Sequence, residues 1–422
     1  MVFCIFYLLC GAAAYCFFYY KTRDAMNPFG ISLGLFLMAA GLSCLKLNPI
    51  QFELSFSTHF VIGLTAAEIF LAGFIFVSPL KNIRGIKTIE PTVTNNYVFL
   101  TYLLTGIVFL VSLAVWFGVD VQQIYDTANE NYDMKTAVSD AIDFSRITGY
   151  ILQVFPYTAL FVLYDILFNQ RNSKIKMLLG SGYVIWTMIF IWRVMVSRGT
   201  LLIILLGGLC LINRKYKLKL KGIFFALMGL AIAMAGLMAL RMNLNSVAFS
   251  GNTSNIYFNT VYNYVAITFQ VLDKLIQHGS PYSGFSSTWI TLSKVLGFHD
   301  PDAQLLYTVG PYNYNARTFL YTFYHDLGIL GVIVYPTLIF SIIGFLYHRA
   351  MSTKPHYILY IAMLQKPIMV LFFGNYFFGS FSNDIPYFIT AFLLFLSYRP
   401  RQVHCSRAVV RHPRIKWMGV FG

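Results

Sequence analysis

Arg317-Thr-Phe-Leu-Tyr-Thr-Phe-Tyr-His-Asp-Leu-Gly328 runs straight into an apolar stretch, Ile329 to Tyr347, that ends at the basic residues Arg349 and Lys354. A bilayer core takes about 20 apolar helical residues. The stretch therefore reads as a membrane span with a polar head and a basic foot. The same pattern recurs along the chain. Runs at about 1–20, 28–47, 60–80, 97–117, 147–168, 177–196, 197–213, 222–240, 317–347, 357–378 and 384–398 qualify. They predict an all-α, polytopic membrane bundle of about eleven transmembrane helices, one domain over residues 1–422.

Composition agrees. Only 11 % of the residues are charged and 58 % are hydrophobic, against roughly 25 % charged in soluble domains. The formal charge of +15 does not point to nucleic acid, because the lysines and arginines sit in short connectors. They cluster at Lys21/Arg23, Lys81/Arg84/Lys87, Arg171/Lys174/Lys176, Arg214 to Lys221, Arg349/Lys354 and the tail from Arg399. These clusters follow alternate spans, and positive residues stay on the cytoplasmic side. The N-terminus is expected outside, and the basic tail 399–422 inside, resting on anionic lipid. Positive charge after the apolar run Val2 to Tyr20, rather than before it, marks a retained first span and not a signal peptide. The six cysteines form no CxxC pair and read as small core residues.

Two connectors then face outside. Residues 118–146 carry Asp120, Asp126, Glu130, Asp133, Asp140 and Asp143, an acidic loop that is either solvated or a lid. Residues 241–316 are far longer than an ordinary connection, a length that points to function. They are rich in tyrosine and contain Trp289, side chains that suit the membrane interface and stack on sugar rings. The apolar pieces 256–276 and 286–298 are amphipathic and are expected to lie on or dip into the outer leaflet.

Arg146, Arg193, Arg198, Arg241 and Arg317 fall on the same side. Lysine would anchor helix ends equally well; guanidinium is preferred where phosphate needs two-pronged recognition. Arg193, Arg198, Arg241 and Arg317 are thus candidate ligands for a lipid diphosphate. In a straight helix, the step from Arg317 to Gly328 is about three turns, which puts both on one stripe with Tyr321, Tyr324 and Tyr335. Arginine would hold phosphate at the mouth, and glycine would leave a groove for a polyprenyl tail. At about 100° per residue, His325 points about 80° from that stripe and Asp326 nearly opposite. His325 is the better-placed base for a hydroxyl nucleophile, with an ordinary pKa near 6.5. Asp326 would orient it from a neighbouring turn, pair with an arginine, or act as base instead.

Other signals are thinner. Glu68 and Asp165 are lone acids in spans, suited to a proton relay or to a helix-packing hydrogen bond. Asp300-Pro-Asp302, beside His299, has the spacing of metal sites in nucleotide-sugar transferases, but nucleotide sugars are not supplied outside; no metal and no cofactor are expected. Asn252-Thr-Ser is a formal glycosylation sequon.

Two stretches carry a family resemblance: Ser197-Arg-Gly199 at the head of a span, and Asn315-Ala-Arg-Thr-Phe-Leu-Tyr-Thr-Phe-Tyr-His-Asp-Leu-Gly-Ile-Leu-Gly331. With the overall topology, they resemble the Wzy family, the bacterial O-antigen and capsule repeat-unit polymerases. Arg317 and Gly328 match an Arg–x10–Gly pattern, and Tyr324, Asp326 and Gly328 match Tyr–x–Asp–Phe/Leu–Gly. Arg198 is the nearest match to an earlier arginine motif, although Leu209 stands where glycine is expected; Arg241 reaches Gly251 one residue short. The resemblance implies a helical fold like that of lipid-dependent, GT-C-like glycosyltransferases and O-antigen ligases. It also implies metal-independent glycosyl transfer at the outer face of the bacterial inner membrane. A chain on undecaprenyl diphosphate would move onto a new lipid-linked oligosaccharide repeat unit, with a flippase and a chain-length regulator as pathway partners. The alternatives are an O-antigen ligase and a lipid-linked oligosaccharide flippase or transporter.

Overall fold

The computed structural model describes residues 2–48, 51–83, 93–118, 146–195, 197–223, 225, 229, 256–279, 283–284, 286–289, 293, 296–297, 317–377 and 381–398. Among these residues the α-helices are α1 (Val2–Thr22), α2 (Pro28–Ser43), α3 (Phe56–Val77), α4 (Asn95–Gly118), α5 (Arg146–Phe168) and α6 (Lys174–Phe190), then α7 (Arg198–Tyr216), α8 (Ile256–His278), α9 (Phe319–Leu327), α10 (Ile329–Ser352), α11 (Ile358–Met369) and α12 (Phe381–Ser397). Seven of them, α1, α3, α4, α5, α6, α7 and α10, are long and apolar enough to cross a membrane. The chain is a polytopic helical membrane protein. Helices α2 and α12 are shorter apolar helices. The acidic connector after α4, most of the run expected at 222–240, the stretch with Arg241 and Asn252, Asp300-Pro-Asp302 and the tail 399–422 lie outside the described residues.

Helix starts follow local chemistry. The first amides of a helix have no intrahelical acceptor, so a short polar side chain just before it supplies one. Asn27 Oδ1 accepts from Phe29 N at 3.0 Å and Gly30 N at 3.1 Å, with Pro28 leading α2. Ser55, Ser173 and Ser197 do the same for α3, α6 and α7.

Two sequence expectations are corrected. The helix drawn from Arg317 to Tyr347 is not continuous: it starts at Phe319 and breaks at Gly328, whose φ is +61°. A side chain rarely adopts that backbone, so glycine makes the corner between α9 and α10 instead of opening a groove along a straight helix. Arg317 therefore precedes α9 and does not ride above Gly328 on one stripe. The second correction concerns α8, expected to lie on or dip into the outer leaflet. It packs into the bundle against α2, α3 and α9, and its polar residues are its docking points. Asp273, fully buried, accepts from Ser55 N at 2.8 Å, Ser55 Oγ at 2.6 Å and Thr58 Oγ1 at 2.6 Å. Gln270 accepts from Phe52 N at 3.2 Å, and Asn263 Oδ1 accepts from Asn48 Nδ2 at 2.9 Å. The polar face of α8 serves the α2–α3 connector, so amphipathicity alone pointed to the wrong solvent.

Small residues set the closest helix contacts. A Cβ at Gly207 on α7 would stand 2.8 Å from the Ala362 carbonyl oxygen of α11, and Leu160 of α5 closes in from the side at 2.8 Å. Backbone cannot step aside as a side chain tip can. Gly207→Val is expected to destabilise the protein by about 1–3 kcal/mol, read as an earlier thermal transition in detergent. Gly63→Val on α3, which meets nothing within 4 Å, serves as the comparison and should leave the transition nearly unmoved.

Candidate functional site

The last carbonyls of a helix need partners from elsewhere, and α9 finds them in the segment Ser283-Gly284-Phe-Ser286-Ser287-Thr288. Ser283 N donates to His325 O and Gly284 N to Asp326 O, both at 3.1 Å. The exchange is reciprocal. Asp326 Oδ1 accepts from Ser283 Oγ and Ser287 N, and Oδ2 from Thr288 N, each at 2.8 Å. Gly284, at φ +62°, makes the turn that brings both sets of bonds into register. Asp326 is fully buried and its lone pairs hold this segment. Its geometry is that of a clamp.

His325, also buried, has Nδ1 at 2.8 Å from both Ser283 Oγ and Ser287 Oγ. A serine hydroxyl has one proton. With Ser283's proton donated to Asp326, its contact with His325 requires Nδ1–H as donor, so the basic nitrogen of the neutral ring is Nε2. Asp326 does not orient the imidazole directly; Ser283 stands between them.

Above the histidine the side chains form a column. The ring of Tyr321 stacks on His325 at 6.2 Å between centroids and 8° between planes. The Arg317 guanidinium lies over the same Tyr321 ring, 5.1 Å from its centroid. The steps of four residues, 317 to 321 to 325, put the three on one face even though Arg317 precedes the helix. Among the described residues Arg317 has no acidic partner, and burial pulls its pKa below the ordinary arginine value. Tyr324 is half-buried against the main core, and Tyr335 stacks on Phe323 at 4.8 Å.

Of the other candidate arginines, the described residues include the whole of Arg193 and only the backbone of Arg198 and Arg146. Arg193 follows α6, is exposed, and lies 5.2 Å from the Trp116 ring of α4. Arg198 and Arg146 open α7 and α5, with side chains outside the described set, as is all of Arg241. Glu68 lies within α3, and Asp165 is paired with Lys176 at 2.7 Å. Among the described residues no group of His, Cys, Asp and Glu is placed to hold a metal.

Sequence reasoning missed two features. The first is the hydroxyl pair Ser283 and Ser287, hidden in a segment read for its aromatic and apolar residues. The second is Lys366, a lone lysine in the apolar run of α11, which the cost of charge in a span should have flagged. It lies 4.4 Å from the Tyr376 ring and reaches the first turn of α7, where a Cβ at Gly199 would meet Nζ at 3.3 Å. Gln153, Tyr157 and Tyr387 close a cavity of about 90 Å³ around it. Lys366 too has no acid partner among the described residues. Phe319 N donates to Leu371 O at 2.9 Å, which ties the start of α9, next to Arg317, to the chain just beyond Lys366.

Compared with protein-family models, with curated proteins and with solved structures, the chain matches none of them.

The clamp has a direct test. Asp326→Ala removes three charge-assisted bonds and is expected to cost about 3 kcal/mol; hydrogen exchange should show the Ser287 and Thr288 amides losing protection. Ser283→Ala leaves both amide bonds in place and should keep that protection. Equal exchange in the two variants would remove Asp326 from the role of clamp.

Proposed function

We propose that this protein is a polysaccharide polymerase that joins oligosaccharide repeat units carried on undecaprenyl diphosphate, at the outer face of a bacterial inner membrane. One observation carries the reading furthest: Arg317 is half-buried, stacked on Tyr321, and without an acid among the described residues. Burying a cation is unfavourable unless an anion arrives to meet it. A polytopic membrane protein, with seven helices of spanning length among its described residues, has access to lipid-linked substrates, and the anionic part of a lipid-linked sugar is its diphosphate. The motif resemblance around Arg317, Tyr324, Asp326 and Gly328 agrees with that substrate.

In this reading Arg317 binds the departing diphosphate, whose charge grows as the glycosidic bond breaks. Tyr321 holds the guanidinium plane in place from below. His325, held by Ser283 and Ser287 with Nε2 basic, takes the proton of the acceptor hydroxyl. Asp326 supports both by fixing the segment that carries those serines. The transfer is then metal-independent, with positioning and charge as the main sources of rate. Arg193, Arg198 and Arg241 remain proposed further ligands of the diphosphate.

The test is a deletion strain complemented with the wild type or with single variants, its surface polysaccharide resolved by gel. A ladder is expected with the wild type. Arg317→Ala should lose about 100–1000-fold of polymerising activity, the range for removing one donor to a developing anion, and collapse the ladder to a single repeat. His325→Ala should do the same, with the protein still present in the membrane by immunoblot. If deletion instead leaves bare core while lipid-linked polymer accumulates, polymerisation survives without the protein, and the ligase reading replaces this one.

A further inference from the structure

At the opposite end of the bundle from Arg317, α1 and α7 finish side by side. Each finishes in an unusual way: Arg23 after α1 has φ +55° and Lys217 after α7 has φ +49°. A left-handed residue other than glycine or asparagine costs roughly 1–2 kcal/mol, yet a basic side chain stands at both places. Between them opens a cavity of about 520 Å³, within the usual range of about 300–1000 Å³ for ligand sites. Lys21 and Arg214 join Arg23 and Lys217 around it.

The acid in its lining, Asp24, is held by other groups than Arg23, Arg214 and Lys217. Asp24 Oδ1 accepts from Asn213 Nδ2 at 2.7 Å and from Met26 N at 2.9 Å, and Oδ2 accepts from Tyr347 OH at 2.8 Å. All three donors are neutral. These bonds tie α1, α7 and α10 together at the cavity's edge. Arg23, Arg214 and Lys217 make no ion pair with a described residue. Arg214 is held instead by Met351 Sδ at 3.1 Å and Ala350 O at 3.5 Å, which fixes its position and leaves its charge. Leu80, Ile358 and Ile361 supply an apolar part of the wall.

Cations at the mouth and alkyl groups in the wall match a phosphate ester attached to an apolar body. Basic pockets between membrane helices are where anionic headgroups bind. We propose that this cavity binds the phosphate headgroup of an anionic membrane phospholipid, with Arg23, Arg214 and Lys217 as its phosphate ligands. The site is separate from the Arg317 column and does not depend on the polymerase reading. It makes the joint between α1, α7 and α10 responsive to the charge of the surrounding bilayer.

The experiment uses the full-length protein purified in an uncharged detergent, with bound lipid counted by native mass spectrometry against added phosphatidylglycerol or phosphatidylcholine. Arg23→Asn/Lys217→Asn removes two charges, and asparagine tolerates the left-handed backbone. Arg171→Gln/Lys174→Gln removes the same charge from the exposed start of α6 and the turn before it as the comparison, and Arg214→Gln tests the site from within α7. The wild type should retain about one phosphatidylglycerol in preference to phosphatidylcholine. Its affinity should fall about twenty-five-fold in the Arg23/Lys217 variant, at about fivefold per basic residue, fall about fivefold in Arg214→Gln, and hold in the comparison. Equal retention by both double variants, or no preference over phosphatidylcholine, overturns the proposal. Millimolar inorganic phosphate is the remaining arm: displacement of the lipid by the free ion would make a soluble phosphate the ligand and overturn the lipid assignment.

Discussion

A backbone carbonyl or amide inside an apolar bundle must have a partner, because neither lipid nor hydrocarbon side chains offer one. Continuous helices meet that demand along most of this chain. The consequences appear where a helix stops. At Gly328 the chain turns between α9 and α10, and the freed carbonyls of His325 and Asp326 are taken by Ser283 and Gly284. At the start of α3, Ser55 and Thr58 lean on Asp273 from a helix more than two hundred positions later. At the end of α1, Asp24 collects Asn213 and Tyr347. Each interruption recruits a polar group from a distant part of the chain, and these recruitments hold the bundle's order.

The same rule explains why the buried acids sort as they do. Asp273, Asp326 and Asp165 sit fully buried, a costly position for a carboxylate, and each is surrounded by donors. Asp273 and Asp326 receive hydroxyl and amide protons, so their charge is spread over short bonds; Asp165 has Lys176. Cations are treated differently. Arg317 and Lys366 are set against tyrosine rings, and Arg214 against a thioether and a carbonyl. Those contacts orient a positive group and leave its charge available to an arriving anion. Acids hold the architecture, and basic groups mark both places argued to bind phosphate.

Much of the candidate site was legible in the residues, but not its geometry. Helix periodicity put Arg317 and Tyr321 on one stripe but turned His325 about 80° away from it, whereas in the structure the Tyr321 ring stacks on His325 and also carries the Arg317 guanidinium. The stripe from Arg317 to Gly328 assumed a straight helix, which a glycine at positive φ overturns. Nothing local to Asp326 announces that its partners lie some forty positions earlier, because Ser287 and Thr288 meet it only after α8 has packed inside. Lys366 was open to detection as a charge in an apolar run, and its approach to Gly199 was not.

By itself, the sequence determined that the chain folds as apolar helices of bilayer length with basic residues between them, because hydropathy and helical rise act over neighbouring residues. It also determined where several helices begin, since Asn27, Ser55, Ser173 and Ser197 cap within three residues of themselves. Only the tertiary structure decided that α8 is a bundle helix, that Asp326 is a clamp, and that Arg23 and Lys217 face one cavity. Each of those outcomes depends on which partner satisfies a buried polar group. That choice is made between residues far apart in the chain, at a stage when packing has already excluded water.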